Sequence, residues 1–398
     1  MLKRFAMAGL VCAGLSSHAH ALEFLPVGNG ALGMGGAGVA RTEGAMSAYW
    51  NPAGLAFAQK TVTVSITAGA ALTPGKKLAE DLDNLSTTFK AWDSNQADPT
   101  AQTNLANAVA NVSDTDNLRA TSNAAVGVQI KQIGFGVFGT FEGAATPHTV
   151  PVDTSSVPAM QASLDQSTVS PRGIMLLEVP IAYGYNHDLG TFGHLGLGLT
   201  GKYIHGEVTS STTQIFNTAN GTTISSKDLT KELSKNRHGS SSWGVDIGAL
   251  WKPEKLLPMP VAIGVVGKNL NAPSFSDKNG GKITVDPQVR AGFTVSPLGW
   301  LELSADIDVI ENSTVLSGLK SQVLGGGAEF KPLSSLKLRV GGYTDLAQST
   351  GAITAGLSLG IPWVFLDIDG AYGLGTVKYD HDSYPSEAKV QASLNIAF

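Results

Sequence analysis

The sequence holds a single cysteine, Cys12, in 398 residues. It sits in an apolar stretch expected to be removed on export. The mature chain is therefore expected to lack thiols, which excludes disulfides, thiolate metal sites and redox chemistry. Charge is scarce as well. Only 15% of residues are Asp, Glu, Lys or Arg, against a usual share of about a quarter. Acids outnumber bases, and losing Lys3 and Arg4 on export takes the net charge from −5 to −7. That gives no electrostatic case for nucleic acid. Beyond the N-terminus no apolar run reaches the ~18 residues of a helical membrane span. His148, His187, His194, His205, His238 and His381 show no metal-ligand spacing, so neither zinc nor another cofactor is expected.

The N-terminus has the three parts of a secretory signal. Lys3 and Arg4 are the basic region, Phe5–Leu15 the apolar core, and Ala19-His20-Ala21 the small-x-small cleavage site. Val11 before Cys12 does not fit a lipoprotein signal. Three parts of the chain are expected: a signal peptide at 1–21, an N-terminal unit at 22–58, and a barrel at 59–398.

Glycine is abundant, 47 of 398 residues. Eight glycines fall in Gly28–Ala58, which follows neither a helix nor a strand period and ends near Asn51-Pro52-Ala53. Such density lets backbone approach backbone closely. The stretch is expected to be an irregular plug held inside a container. Gly28, Gly30 and Gly33 match the dinucleotide fingerprint, but no βαβ pattern surrounds them. Gly196–Lys202 resembles a phosphate loop, but it lies in a strand pattern and Tyr203 replaces the required hydroxyl.

From Thr61 the period becomes two. Strands are predicted at 61–72, 123–131, 133–142, 174–187, 193–209, 240–252, 260–269, 285–296, 300–310, 320–331, 335–345, 350–360, 362–372 and 386–398. Most have the ~9–11 residues that cross a bilayer as a tilted strand. Their connectors alternate between short and long, with 346–349 a short connector on the long side. This pattern predicts an all-β fold: a transmembrane antiparallel barrel of about fourteen strands with a plug in its lumen. Loops 73–122, 143–173 and 210–239 are expected outside the cell. Within 73–122, Leu78–Trp92 and Thr100–Val112 have helical spacing, separated by Asp98-Pro99, and are expected to cap one mouth.

In-strand charges take the face opposite the aliphatic one: Arg290, Glu302, Asp306, Asp308, Glu329, Lys337, Arg339 and Lys389. On the lipid face Arg or Lys costs about 2–4 kcal/mol at mid-bilayer, so these side chains are assigned to the lumen. Arg290, Asp306, Asp308, Glu329 and Arg339 form the candidate cluster, either a salt-bridge ladder or a ligand path. Trp300, Trp363, Tyr183 and Tyr185 are placed where an aromatic girdle belongs. Pro180 removes a ladder donor inside a strand, which suits either a curvature-adjusting bulge or a sideways opening. No nucleophile elbow is found, though a barrel hydrolase remains an alternative.

The glycine-rich start, Tyr49-Trp50-Asn51-Pro52-Ala53-Gly54-Leu55, fourteen strands and a terminal Phe398 together resemble the FadL-type outer-membrane transporter superfamily. Closer still is a TraF-like conjugal-transfer branch. Its pattern resembles Gly33–Ala40, Pro287–Gly292, Ala305–Asp308 and Gly325–Phe330, and the likeness covers nearly the whole mature chain. The resemblance implies a hatch in a fourteen-stranded barrel, with Asn51, Pro52 and Ala53 as its motif and Phe398 as the assembly signal. It implies lipid and the barrel assembly machinery as partners, an outer-membrane location, no enzymatic activity, and passive movement of a small hydrophobic molecule. The alternative is a structural part of a conjugal transfer or surface apparatus. Loops 143–173 and 210–239 are rich in Ser, Thr and Asn, unlike the apolar outer loops of fatty-acid transporters. The name TraF also belongs to a thioredoxin-like protein, a role that a chain without cysteine does not carry.

Overall fold

A computed structural model describes residues 22–398 except 76–77, 114–116, 225–230, 233, 235–236, 255–257, 277, 279–281, 317 and 380–381. The signal-peptide reading of 1–21 and His381 lie outside the described residues.

Fourteen strands form one closed antiparallel ring. They are β1 (Val62–Thr73), β2 (Leu118–Ile130), β3 (Ile133–His148), β4 (Thr168–Asp188), β5 (His194–Ser210), β6 (Arg237–Lys252) and β7 (Val261–Lys268). The ring continues through β8 (Gln288–Leu298), β9 (Leu301–Asp308), β10 (Val323–Leu333), β11 (Leu336–Asp345), β12 (Thr350–Ile361), β13 (Val364–Gly373) and β14 (Ala388–Ala397). Each strand pairs with the next in sequence, and β14 closes onto β1 from Thr63↔Ala397 to Leu72↔Ala388. Closure leaves no edge, the condition for strands to cross lipid. No helix among the described residues is long and apolar enough to cross a membrane.

Each strand alternates as its period requires. On β14, Val390 is exposed while Gln391 and Ser393 are buried; on β9, Leu303 and Ile307 are exposed while Ser304, Asp306 and Asp308 are buried. The exposed face is therefore aliphatic and the inner face polar, the inverse of a soluble barrel. On β5 the outer apolar run extends from Leu195 to Tyr203. Nine residues at ~3.3 Å each, tilted by ~40°, cover roughly 23 Å, close to the ~25 Å height of an outer-membrane apolar band. Tyr183, Tyr185, Trp300 and Trp363 are all exposed near the short-turn end, and Tyr203 and Trp243 are exposed toward the long-loop end.

Three strands outrun their period-two signal. β2 starts at Leu118, β3 extends to His148 and β4 starts at Thr168. There Ala144 and Val169 are buried, and Ala145 packs against an apolar cluster at the long-loop end. Cover on the second face removes the alternation that marks a strand facing lipid. That cluster is built from helices α1 (Leu78–Ser94), α2 (Pro99–Asn111) and α3 (Val157–Leu164). Phe89, Trp92, Leu105, Met160 and Phe216 are its bulk. Asp98 caps α2 by accepting the Thr100 N–H at 2.9 Å, with Pro99 as the first helical residue, a position where the missing donor costs nothing.

Candidate functional site in the barrel lumen

Residues 22–58 contain no strand. They form short 3₁₀ turns (Leu32–Met34, Gly44–Met46, Pro52–Phe57) and one helical turn, Ser47–Trp50. Their polar groups bond to inward-facing side chains of many strands. Gly28 N–H donates to Gln391 of β14 at 2.9 Å, and Gly35 N–H to Thr354 of β12 at 3.1 Å. Gly38 and Val39 N–H both donate to Asp306 Oδ2 of β9, at 2.8 and 2.9 Å. Glu43 pairs with Lys252 of β6 at 2.6 Å. An aromatic group (Phe24, Tyr49, Trp50 and Phe138 of β3) packs the segment against the opposite wall, with Tyr49 stacked on Phe138.

The motifs behind the family resemblance meet one another here. Met34 and Gly35 lie against Gly325, Gly326 and Gly327 of β10, so closely that a Cβ on Gly327 would stand 2.8 Å from Met34 Cα. Gly35 is left-handed, φ 68°, and a Cβ there would strike Gly342 O. Ala40 N is 3.1 Å from where Gly292 of β8 would carry a Cβ. Gly33–Ala40 thus touches three other stretches: Pro287–Gly292, Ala305–Asp308 and Gly325–Phe330. Gly28 and Gly30, the apparent nucleotide motif, are turn residues at φ 65° and 63°.

Asn51 joins three partners. Its Oδ1 accepts the Ala53 N–H at 3.1 Å, starting the turn that Pro52 opens, and its Nδ2 donates to Val39 O at 3.1 Å and Ala249 O of β6 at 3.2 Å. Pro52 and Ala53 press on Gly198 of β5, where any Cβ would collide with their backbone.

The candidate charge cluster divides. Arg290 Nε pairs with Asp308 at 2.6 Å, and Arg339 Nε with Glu329 at 2.7 Å, extending to Asp369 at 3.4 Å. Asp306 does not join the expected cross-strand ladder; its Oδ2 is taken by the Gly38 and Val39 amides. A cation that strand parity did not reveal, Arg41, bonds Glu302 at 2.9 Å and Glu329 at 3.1 Å. Burial opposes its charge, but the two carboxylates outweigh burial and hold its pKa above the ordinary value. A second group, Lys202 with Glu178 at 2.9 Å and Asp246 at 3.0 Å, joins β4, β5 and β6. Its members share the inward parity that marked the first group, so the same rule finds them.

Pro180 faces inward and is buried. The β3–β4 ladder runs to Phe135↔Ile181 and resumes at Phe138↔Glu178 in the same register, while Pro180↔Lys202 continues the β5 side. The sequence allowed a bulge here; the unchanged register means no residue is inserted. The missing proline donor instead leaves a gap in the ladder. Beside it, Glu178, Tyr49, Leu176, Lys268 and Asn269 line a cavity with about 20 Å³ of open space, room for roughly one water. Phe398 donates its N–H to Val62 O at 2.9 Å and projects its ring outward, 66% exposed.

No curated protein matches the sequence. Solved structures of similar fold include the toluene transporter TbuX of Ralstonia pickettii (16% identity, 93% of this chain and 98% of that chain, TM-score 0.53). The toluene transporter TodX of P. putida is similar at 11% identity, 92% and 97% coverage and TM-score 0.52. A FadL homologue of Pseudomonas aeruginosa is similar at 11% identity, 96% and 100% coverage and TM-score 0.53. These likenesses show the fold, a closed fourteen-stranded barrel like those of the toluene transporters and the FadL homologue. The family model described as "F plasmid transfer operon, TraF, protein" matches residues 48–308, well over half of the chain, and the chain belongs to that family.

Proposed function

We propose that this protein is a passive outer-membrane channel for a small hydrophobic molecule, with Leu22–Ala58 as its plug and no enzymatic role. The reading rests on one observation: the interrupted β3–β4 ladder at Pro180 lies beside a lumen packed with the N-terminal segment. A straight water path is closed by that packing, whereas a gap in the wall offers an apolar solute a sideways exit into lipid. The toluene channels of similar fold support the same class of cargo. Mature Leu22 is the product of signal cleavage, and Phe398 serves the assembly machinery. The test is uptake of radiolabelled toluene by cells with and without the gene. Faster uptake with the protein supports the reading, and equal rates remove it.

The family description favours a second reading, a structural part of a conjugal transfer apparatus. Loss of plasmid transfer on deletion, with toluene uptake unchanged, selects it.

A further inference from the structure

A second weak seam lies between β6 and β7. β7 pairs with β6 only from Ile263↔Trp251 to Gly267↔Ile247. The half of β6 toward the long loops, Arg237–Asp246, pairs with β5 on one side; on its other side no described strand continues the ladder, though the short strand Ser274–Ser276 touches it through the Ser276 N–H, which donates to Ser240 Oγ at 3.1 Å. Two side chains stand in for the ladder: Asp246 Oδ1 on β6 accepts the Asn269 N–H at 2.7 Å, and Asn271 supplies the rest. Asn271 Oδ1 accepts the Val245 N–H at 3.0 Å and its Nδ2 donates to Trp243 O at 2.7 Å. Leu270 N–H adds one bond to Val245 O at 2.9 Å, and its side chain covers the outer face of Gly267.

The strap that carries Asn271 is strained. Asn269 and Ala272 have φ of 55° and 50°, a left-handed conformation in which the Cβ of alanine crowds the following carbonyl oxygen. Strain of this kind marks segments that switch between arrangements. Behind the strap lies the cavity beside Pro180. Lys268 lies 3.6 Å from the Tyr49 ring centre and 4.5 Å from that of Phe24. Asn269 Oδ1 is buried without a hydrogen-bond partner, and both residues line the cavity. In front of the strap are exposed Trp243 and Leu270, at the height where the apolar band ends.

We propose that residues 269–272 are a latched side port connecting this cavity to the outer leaflet, separate from the gap at Pro180. Its ligand is a small molecule with an apolar body and one polar group. The body passes between Trp243 and Leu270, and the polar group meets Lys268 and Asn269. The ligand class rests on the proposed transport; the latch itself does not.

Two measurements on the full-length protein test the port. Hydrogen exchange in nanodiscs reads the latch without any cargo. The Val245 and Leu270 amides should exchange at least tenfold faster than the Ile247 and Val265 amides of the paired region, and Asn271→Ala should speed them at least threefold more. Protection equal to the paired region, unmoved by Asn271→Ala, overturns the latch. For passage, Val245→Cys with Leu270→Cys gives a disulfide in a mature chain free of other thiols. Oxidation should slow p-cresol uptake at least fivefold and reduction should restore it. Uptake indifferent to oxidation overturns the port and leaves channel function standing. If p-cresol and toluene both fail to enter with wild type, the transport reading and the port fall together, and the exchange data then report a latch alone.

Discussion

The carboxylate of Asp306, on β9, takes the backbone N–H of Val39 at 2.9 Å with the same oxygen that takes Gly38 at 2.8 Å. Asp306 is 4% exposed, and it is matched to two donors that no regular structure satisfies. Hydrogen bonds to a charged group contribute about 1.5–3 kcal/mol each, and an orphaned buried amide costs about 1–3 kcal/mol.

Asp306→Ala should therefore loosen the N-terminal segment by about 2–4 kcal/mol and leave the ring intact. Limited proteolysis of the folded barrel is the check. Cleavage within 22–58 should rise at least tenfold, with no change in the heat-modifiable gel shift of the barrel. Unchanged cleavage would mean that the clamp contributes little.

Arg41 separates two carboxylates that otherwise repel. Arg41→Met keeps most of the volume and leaves Glu302 and Glu329 to Lys331 and Arg339. Breaking a buried ion pair from one side costs about 3–5 kcal/mol. Brief openings with cation selectivity are expected in single-channel records of Arg41→Met, and anion-selective openings would contradict the assignment.

Pro180→Ala restores the missing donor, and the register on either side already matches, so the β3–β4 ladder can close without rearrangement. Toluene uptake should fall at least threefold while barrel assembly and stability hold or improve. Uptake at the wild-type rate would show that the gap is not the exit.

Much of the ring was legible because lipid outside and polar lumen inside give every strand two contrasting faces. Val390 against Gln391 and Leu303 against Ser304 report parity without any tertiary knowledge. The signal fades where that contrast ends. Thr168–Gly173 of β4 and Gly143–His148 of β3 lie under the cap, and their strand character comes from pairing alone. Pro180 was visible as a missing donor, but register is a relation between two strands, so the choice between gap and bulge was not. The contacts of Asp306 and Arg41 were hidden for another reason. Gly28–Ala58 has no period, and nothing in its spacing says which wall each residue meets. In strap 269–272 the alternation ends at Asn269 and 270–272 reads as a connector, because side chains of Asn271 and Asp246, not a strand, supply its bonds.

Planar-bilayer recording of the purified mature protein tests the central claim, that residues 22–58 fill the lumen and leave only the wall for passage. Wild type should be nearly closed, and deletion of Leu22–Ala58 should give a large, steady conductance in a barrel with the same heat-modifiable gel shift. A wild type as conductive as the deletion variant would contradict the plug and with it the sideways route.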